Sequence, residues 1–169
     1  MSKRFSRLPT SFTPHLERYV FACHYCRRKR VLDVGCKDGY GSAIMSLFAN
    51  HITLADIEKR WLAIAELNNT FLCGVNMVVS DFEKSFPEGT WDTIVAFEII
   101  EHLEDADFFV RNAKEHLEKG GVLVFSVPHM KISVGHKVLF DEKKIRDVVS
   151  KYLNIVEFYK QDSYGISKK

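Results

Sequence analysis

Val31-Leu-Asp-Val-Gly-Cys-Lys-Asp-Gly-Tyr-Gly41 is the stretch on which the fold turns. An apolar run ends in an acidic residue and a glycine-studded turn, and a helix opens behind it. Glycines let the backbone take left-handed angles and let a ligand approach main-chain N–H groups with no side chain between them. A dinucleotide fingerprint would need glycine at 35, 37 and 40, but Lys37 and Tyr40 hold the last two places. No Gly-x-x-x-x-Gly-Lys-[Ser/Thr] run occurs, so a P-loop is not supported. Asp33 at the strand end would repel a pyrophosphate and suits a ligand carrying ammonium or sulfonium charge. A nucleoside with a cationic amino-acid tail therefore answers better than NAD.

Outward from that turn, strands and helices alternate. Residues 1–12 read as a loose basic arm, and Thr13-Pro14 supplies an N-cap and a first-turn proline for a helix through about Arg28. Strands are expected at 30–34, 52–55, 77–80, 91–97, 122–127 and 153–159. Helices are expected at 40–49, 58–68, 105–118 and 141–151, with Gly120-Gly121 stopping the third of these. Residues 160–169 are polar and read as a short edge strand or a tail. The pattern predicts an α/β fold: a doubly wound, mostly parallel sheet with helices on both faces, forming one minimal domain over 13–169.

Composition agrees. With 169 residues, 46% hydrophobic and 27% charged, the chain can bury one core and is too short for two ordinary domains. No apolar run reaches the roughly 18 residues of a membrane span, and the amino terminus lacks a signal peptide's apolar core. A cytoplasmic protein with no membrane partner is the expectation. The net charge of +2 hides an asymmetry: residues 1–30 carry +7 and the remainder −5. A basic amino-terminal face can attract a phosphate-bearing partner, although Arg27-Arg-Lys-Arg30 also suits the carbonyl end of a helix. Of the cysteines at 23, 26, 36 and 73, Cys23-His-Tyr-Cys26 has metal-ligand spacing. No second pair accompanies it and the segment reads as helix, so a structural role is expected.

In open α/β sheets the ligand lies outside the carboxyl ends of the strands, so the residues after each strand form one candidate pocket. Asp33 and Gly35–Gly41 follow the first strand. Asp56 ends the second, where a carboxylate can accept two hydrogen bonds from a ribose diol. Asp81-Phe82 follows the third, with an acceptor for an exocyclic amine and a flat apolar face for a base; Phe97-Glu98 follows the fourth.

With Val31-Leu-Asp-Val-Gly-Cys-x-x-Gly-Tyr-Gly-Ser42, Asp56, Asp81, Trp91-Asp92, Glu98-Ile-Ile-Glu-His102, Gly120-Gly121 and Ser126-Val-Pro128, the chain resembles the class I S-adenosylmethionine-dependent methyltransferases over residues 17 to 159. The resemblance implies a Rossmann-like methyltransferase fold and S-adenosyl-L-methionine as cofactor, with S-adenosyl-L-homocysteine as product. It implies that Asp33 and the turn Gly35, Cys36, Lys37 and Gly39 hold the methionine end. Asp56 would take the ribose, Asp81 and Phe82 the adenine, and Ile57 and Phe97 would complete the candidate cofactor contacts. The family usually has a second glycine where this chain has Lys37; if the site needs positive φ, lysine costs about 1–2 kcal/mol there.

Glu98-Ile-Ile-Glu-His102 sets two carboxylates and an imidazole within one turn, able to bind a divalent ion or take a proton. The blander use is helix capping. The pattern resembles that of the ubiquinone-type O-methyltransferases and the small-RNA 2′-O-methyltransferases, where it implies part of a metal site completed by a later histidine. His136 falls about where that histidine would, so Glu98, Glu101, His102 and His136 are candidate ligands, with Mg²⁺ the natural ion for an oxygen acceptor. His102 and Glu98 are the candidate catalytic groups, and His129 is a second possible base.

The reading is thus a methyltransferase acting on an oxygen nucleophile of RNA, a nucleotide sugar or saccharide, or a small hydroxylated molecule. An open site and a basic arm favour a phosphorylated or polymeric acceptor. No sizeable insertion can form a deep lid, so a dimer partner or second subunit is a candidate wall. The alternative from another class is a non-catalytic S-adenosylmethionine-binding or partner-stabilising subunit, suggested by Lys37 and the missing lid.

Overall fold

A computed structural model describes residues 13–70, 74–128, 135–162 and 165–169. Its centre is a sheet of five parallel strands: β1 (Arg30–Val34), β2 (His51–Asp56), β3 (Val75–Val79), β4 (Trp91–Phe97) and β5 (Leu117–Ser126). Their order is β3-β2-β1-β4-β5. The chain winds outward from β1 to β3 and then crosses back to β4 on the other side, and this reversal opens a crevice at the carboxyl ends of β1 and β4.

The middle strands read as almost unbroken apolar runs because both their faces are covered. Alternation then sorts the side chains. Leu32, Val34, Ile94 and Ala96 join one core cluster with α4 (Ala106–His116) and α5 (Glu142–Val149). Val31, Val95 and Phe97 join the other, with α1 (Thr13–Cys26), α2 (Tyr40–Ser46) and α3 (Lys59–Asn68). The expected doubly wound architecture, with helices on both faces, is the one observed. Asp105 caps α4 by accepting from the Phe108 N–H, and Asp141 caps α5 by accepting from the Lys144 N–H. Cys23 and Cys26 are buried in the second cluster, as core residues. Among the described residues no helix is long and apolar enough to cross a membrane.

The expected junction between the third helix and the fifth strand moves. The third expected helix ends at His116, and β5 begins at Leu117 rather than at Val122. Gly120-Gly121 lies inside that strand, where the register against β4 shifts between Trp91 and Thr93. Gly120 sits at φ +80°, and a Cβ on Gly121 would lie 2.9 Å from the Asp92 carbonyl oxygen. The glycines therefore form an irregularity in a strand and do not stop the helix. The strand expected over 153–159 is absent from the sheet. Tyr159–Asp162 (β6) pairs antiparallel with Gly165–Lys168 (β7) as a separate hairpin. The polar side chains of this segment are taken up by α1: Gln161 accepts from Arg18 Nε at 2.5 Å, and the Tyr25 hydroxyl donates to Glu157 at 2.6 Å.

Arg27–Arg30 end α1 and start β1 at the amino end of the sheet, the pole opposite the crevice. Arg28 takes φ +59°, the left-handed angle that a chain leaving a helix usually gives to glycine.

Candidate active site

The turn after β1 alternates left-handed residues: Gly35 at φ +69°, Lys37 at +48° and Gly39 at +76°. It is pinned to β2 by the N–H groups of Gly35 and Cys36, which both donate to the Ala55 carbonyl at 2.8 and 3.1 Å. Packing leaves no room for a side chain at Gly39, and leaves it at Gly35 only if Ile99 moves aside. A Cβ on Gly35 would stand 2.1 Å from the end of Ile99, and one on Gly39 would stand 2.8 Å from the Ala65 Cβ. Cys36 turns its thiol into the core, where burial holds it protonated, so only its backbone belongs to the turn.

Lys37 is the one non-glycine in this alternation, and its angle is the costly one. Lys37→Gly is expected to raise the melting temperature. Relief of about 1–2 kcal/mol of backbone strain exceeds the roughly 0.5–1 kcal/mol that glycine's freedom adds to the unfolded chain. A gain of about 2–4 °C follows for a chain of this size. A lowered melting temperature would show that the lysine side chain contributes more than its backbone costs.

Beneath the turn lies Asp33, completely buried. Its Oδ2 accepts from the Ser42 hydroxyl at 2.5 Å, while Oδ1 has no hydrogen-bond partner among the described residues. Burial pushes this carboxyl up to about 7; the Ser42 hydroxyl opposes the rise and the Asp56 charge adds to it. Asp56 closes the next strand. Its two oxygens accept from the Lys37 N–H at 3.0 Å and the Glu58 N–H at 2.9 Å, so it ties the β1 and β2 turns together. Beside it, Ile57 is 60% exposed, an apolar face at the rim.

Asp81 reaches the same end of the sheet, ion-paired to Lys84 at 2.8 Å and accepting from the Glu83 N–H. That lysine holds its carboxyl below the usual range. Phe82 is placed differently from expectation: only 6% exposed, its ring packs on Phe86 and lies near Phe109 in the core. It offers no free face, and Ile57 presents the apolar surface that the sequence reading gave to Phe82.

At the end of β4, Phe97 packs edge-on against Tyr19 of α1, ring centres 5.1 Å apart, and Tyr19 in turn touches Tyr40. Gly41 is glycine because Tyr19 lies on it: a Cβ there would fall 2.2 Å from the ring. Glu98 adopts φ +56° and is held from two sides, by the Ser126 hydroxyl at 2.7 Å and by Arg18 of α1 at 3.1 Å. Arg18 is the site residue that the sequence leaves unmarked, since an arginine on a helix surface is ordinary until α1 is laid across the strand ends.

Glu101 is fully buried, with no hydrogen-bond partner at either carboxylate oxygen among the described residues, and burial raises its carboxyl to about 7. His102 Nε2 stands 4.0 Å from it. His102 Nδ1 lies 2.9 Å from the Gly135 carbonyl, which can only accept, so the ring proton sits on Nδ1 and the lone pair on Nε2. The His136 ring stands edge-on to His102 at 4.9 Å. One ligand atom each from Glu101, His102 and His136 can lie within 4.8 Å of the others. Glu98 does not join them, because Arg18 and Ser126 hold it. The expected four-ligand Mg²⁺ site is therefore corrected: the cluster offers one carboxylate and two imidazoles, a set suited to a transition ion rather than to Mg²⁺. His129 lies outside the described residues, as do Cys73 and residues 1–12.

The glycine turn and the carboxylates Asp33, Asp56 and Asp81 of three strand ends thus gather at the topological switch point of the sheet. The methyltransferase-domain profile matches residues 13–154, and the chain belongs to that family. A probable S-adenosylmethionine-dependent methyltransferase of Mycobacterium tuberculosis, MT3114, is 29% identical over 70% of this chain and 42% of its own length. The ubiquinone biosynthesis O-methyltransferase of Chromobacterium violaceum is 30% identical over 58% of this chain and 44% of its own. The chain thus spans less than half the length of these relatives. Among solved structures, the N-methyltransferase NodS of Bradyrhizobium japonicum superposes with a TM-score of 0.77 at 20% identity, covering 94% of this chain and 91% of NodS. That likeness extends the shared fold to nearly the whole chain.

Proposed function

We propose that the chain is an S-adenosylmethionine-dependent methyltransferase that acts on a hydroxyl oxygen. The observation that carries the reading is the unpartnered, buried Asp33 oxygen beneath the glycine turn, a place for the cationic amino-acid end of the cofactor. The turn backbone and Asp33 take the ammonium and sulfonium side, and Arg18 and Lys37 are the cations near enough to take the carboxylate. Asp56 keeps lone pairs for the ribose diol, Asp81 accepts from the adenine amine, and Ile57 covers the base. Phe97 and Tyr19 wall the sulfur.

S-adenosylmethionine supplies an already activated methyl group, so the protein has to orient a nucleophile in line and remove its proton. His102 Nε2 carries the free lone pair for that proton. The buried Glu101 carboxylate beside it stabilises the imidazolium that results. A hydroxyl needs such a base, which favours oxygen over an amine as the acceptor atom. A nucleotide, a saccharide or a phenol supplies one.

Calorimetry with S-adenosylmethionine and S-adenosylhomocysteine, followed by transfer of labelled methyl to hydroxylated and aminated acceptor pools, tests the reading. Absence of binding at millimolar ligand would remove it; binding with no turnover on any pool would favour a non-catalytic subunit. Arg18→Ala is expected to raise KM for S-adenosylmethionine at least about tenfold, the loss of one charge-assisted contact, with little change in kcat. A kcat loss with KM unchanged would move Arg18 from cofactor binding to positioning Glu98.

A second reading of the same cluster rests on a carboxylate oxygen of the buried Glu101 lying within 4.8 Å of a ring nitrogen of His102 and of His136. A divalent transition ion held by Glu101, His102 and His136 would lower the pKa of a hydroxyl beside it. Titration with Zn²⁺ or Mn²⁺ decides it, since binding that persists unchanged in Glu101→Ala would place any ion elsewhere.

A further inference from the structure

The pole opposite the crevice is built unlike the rest of the surface. Arg27, Arg28, Lys29 and Arg30 follow one another there, all exposed, with the exposed His24 in the last turn of α1. Asp92 engages this run, pairing with Lys29 at 3.4 Å and accepting from the Arg30 main-chain N–H. Among the described residues no carboxylate is paired with the guanidinium groups of Arg27, Arg28 or Arg30.

Directly beside them are two large, exposed apolar side chains. α2 runs down from the glycine turn and ends at this pole, where Leu47 is 72% and Phe48 45% exposed. The two groups are tied together by main-chain hydrogen bonds: the Arg28 N–H donates to the Phe48 carbonyl at 2.8 Å, and the Asn50 N–H donates to the Lys29 carbonyl at 2.9 Å. Cations and exposed hydrophobes are therefore held in one fixed arrangement, which a merely solvated charge run does not need.

The position rules out the simplest use. β1 separates the basic run from the glycine turn by five residues, about 16 Å at strand rise, so these cations cannot neutralise a phosphate at the methyl group. A polyanion such as RNA would use the arginines and leave Leu47 and Phe48 without a counterpart. An anionic bilayer uses both, since the side chains enter the headgroup boundary while the guanidinium groups meet the lipid phosphates.

We propose that this pole is a docking surface for an anionic phospholipid bilayer, with the crevice facing away from the membrane. The contact is peripheral, and it is independent of which acceptor is methylated. Cosedimentation of the whole chain with phosphatidylcholine vesicles, with and without phosphatidylglycerol, tests it at low and high salt. Binding is expected only with phosphatidylglycerol present, and it should fall steeply with salt. Arg27→Gln/Arg28→Gln should weaken it about 25-fold, at about fivefold per cation near such a surface. Leu47→Ser/Phe48→Ser should weaken it at least about tenfold from the lost apolar contact. Both variants should keep the wild-type melting temperature and S-adenosylmethionine affinity, which separates failure here from failure of the fold or of the pocket. Equal binding to pure phosphatidylcholine, or no binding to either vesicle, overturns the proposal. Binding to polyuridylate that the arginine variant loses and the Leu47/Phe48 variant retains would make the partner a nucleic acid and overturn it as well.

Discussion

Asp33→Asn is expected to weaken S-adenosylmethionine binding about 100-fold at pH 8, the scale of removing one partner from a buried ion pair. The same change should abolish the pH dependence of binding. In the free protein the Asp33 carboxyl is raised by burial from 3.8 to about 7, so between those values the folded state holds a proton that the unfolded chain has released. The Asp33 contribution to the stability of the free protein therefore falls as pH rises from about 4 to about 7 and levels off above, because the unfolded carboxyl binds fewer protons across that window. Glu101, raised by burial from 4.5 to about 7, contributes with the same sign.

A cationic ligand reverses the preference at Asp33 by favouring the ionised carboxylate. Affinity for S-adenosylmethionine should accordingly rise with pH through about 7 and reach a plateau near 8. Asparagine removes the ionisation while keeping an acceptor for the Ser42 hydroxyl. The free variant should melt higher than wild type at pH 8, and its weak ligand affinity should be flat from pH 6 to pH 8. Calorimetry at the two pH values and melting curves without ligand read both effects. A variant that binds as tightly as wild type would show that the unpartnered oxygen does not meet the ligand.

The second large effect is expected at Asp56. Asp56→Ala removes the acceptor of two main-chain N–H groups, at Lys37 and Glu58, one of them on a residue already held at a left-handed angle. Hydrogen bonds to a charged group contribute about 1.5 kcal/mol or more each, so the loss is on the order of 3 kcal/mol and roughly 6–12 °C in melting temperature. S-adenosylmethionine affinity should fall about 100-fold or more, because the ribose acceptor and the shape of the turn go together. Lys37→Gly in the Asp56→Ala background separates the two causes. It should restore part of the melting temperature and little of the affinity. Full recovery of affinity would mean that Asp56 shapes the turn and does not touch the ribose.

The α/β architecture and the strand-end carboxylates were legible in the chain because their signals are local. An apolar run that closes on Asp33 and opens into Gly35–Gly41 needs no distant partner to be read, and neither does Asp56 after β2. Lys37 was marked as costly at positive φ, and it does sit at +48°. Phe82 was misread because an aromatic after a strand looks the same whether it faces the crevice or the core. Only Phe86 and Phe109 show which. The segment 153–159 misleads because its apolar residues fit a strand, while Glu157 finds its partners in Tyr25 of α1 and Lys168 of β7.

By itself the sequence determined the winding of the sheet, the glycine turn and the acidic strand ends, since backbone angles and two-residue alternation are properties of neighbouring residues. Tertiary structure alone decided which side chains converge. It brought Arg18 across to Glu98 and thereby withdrew Glu98 from the Glu101, His102 and His136 cluster. It left one oxygen of Asp33 without a partner, and it set the basic run beside Leu47 and Phe48 at the far pole. Burial and charge pairing depend on residues distant in the chain, and those distances close only when the helices pack on the sheet.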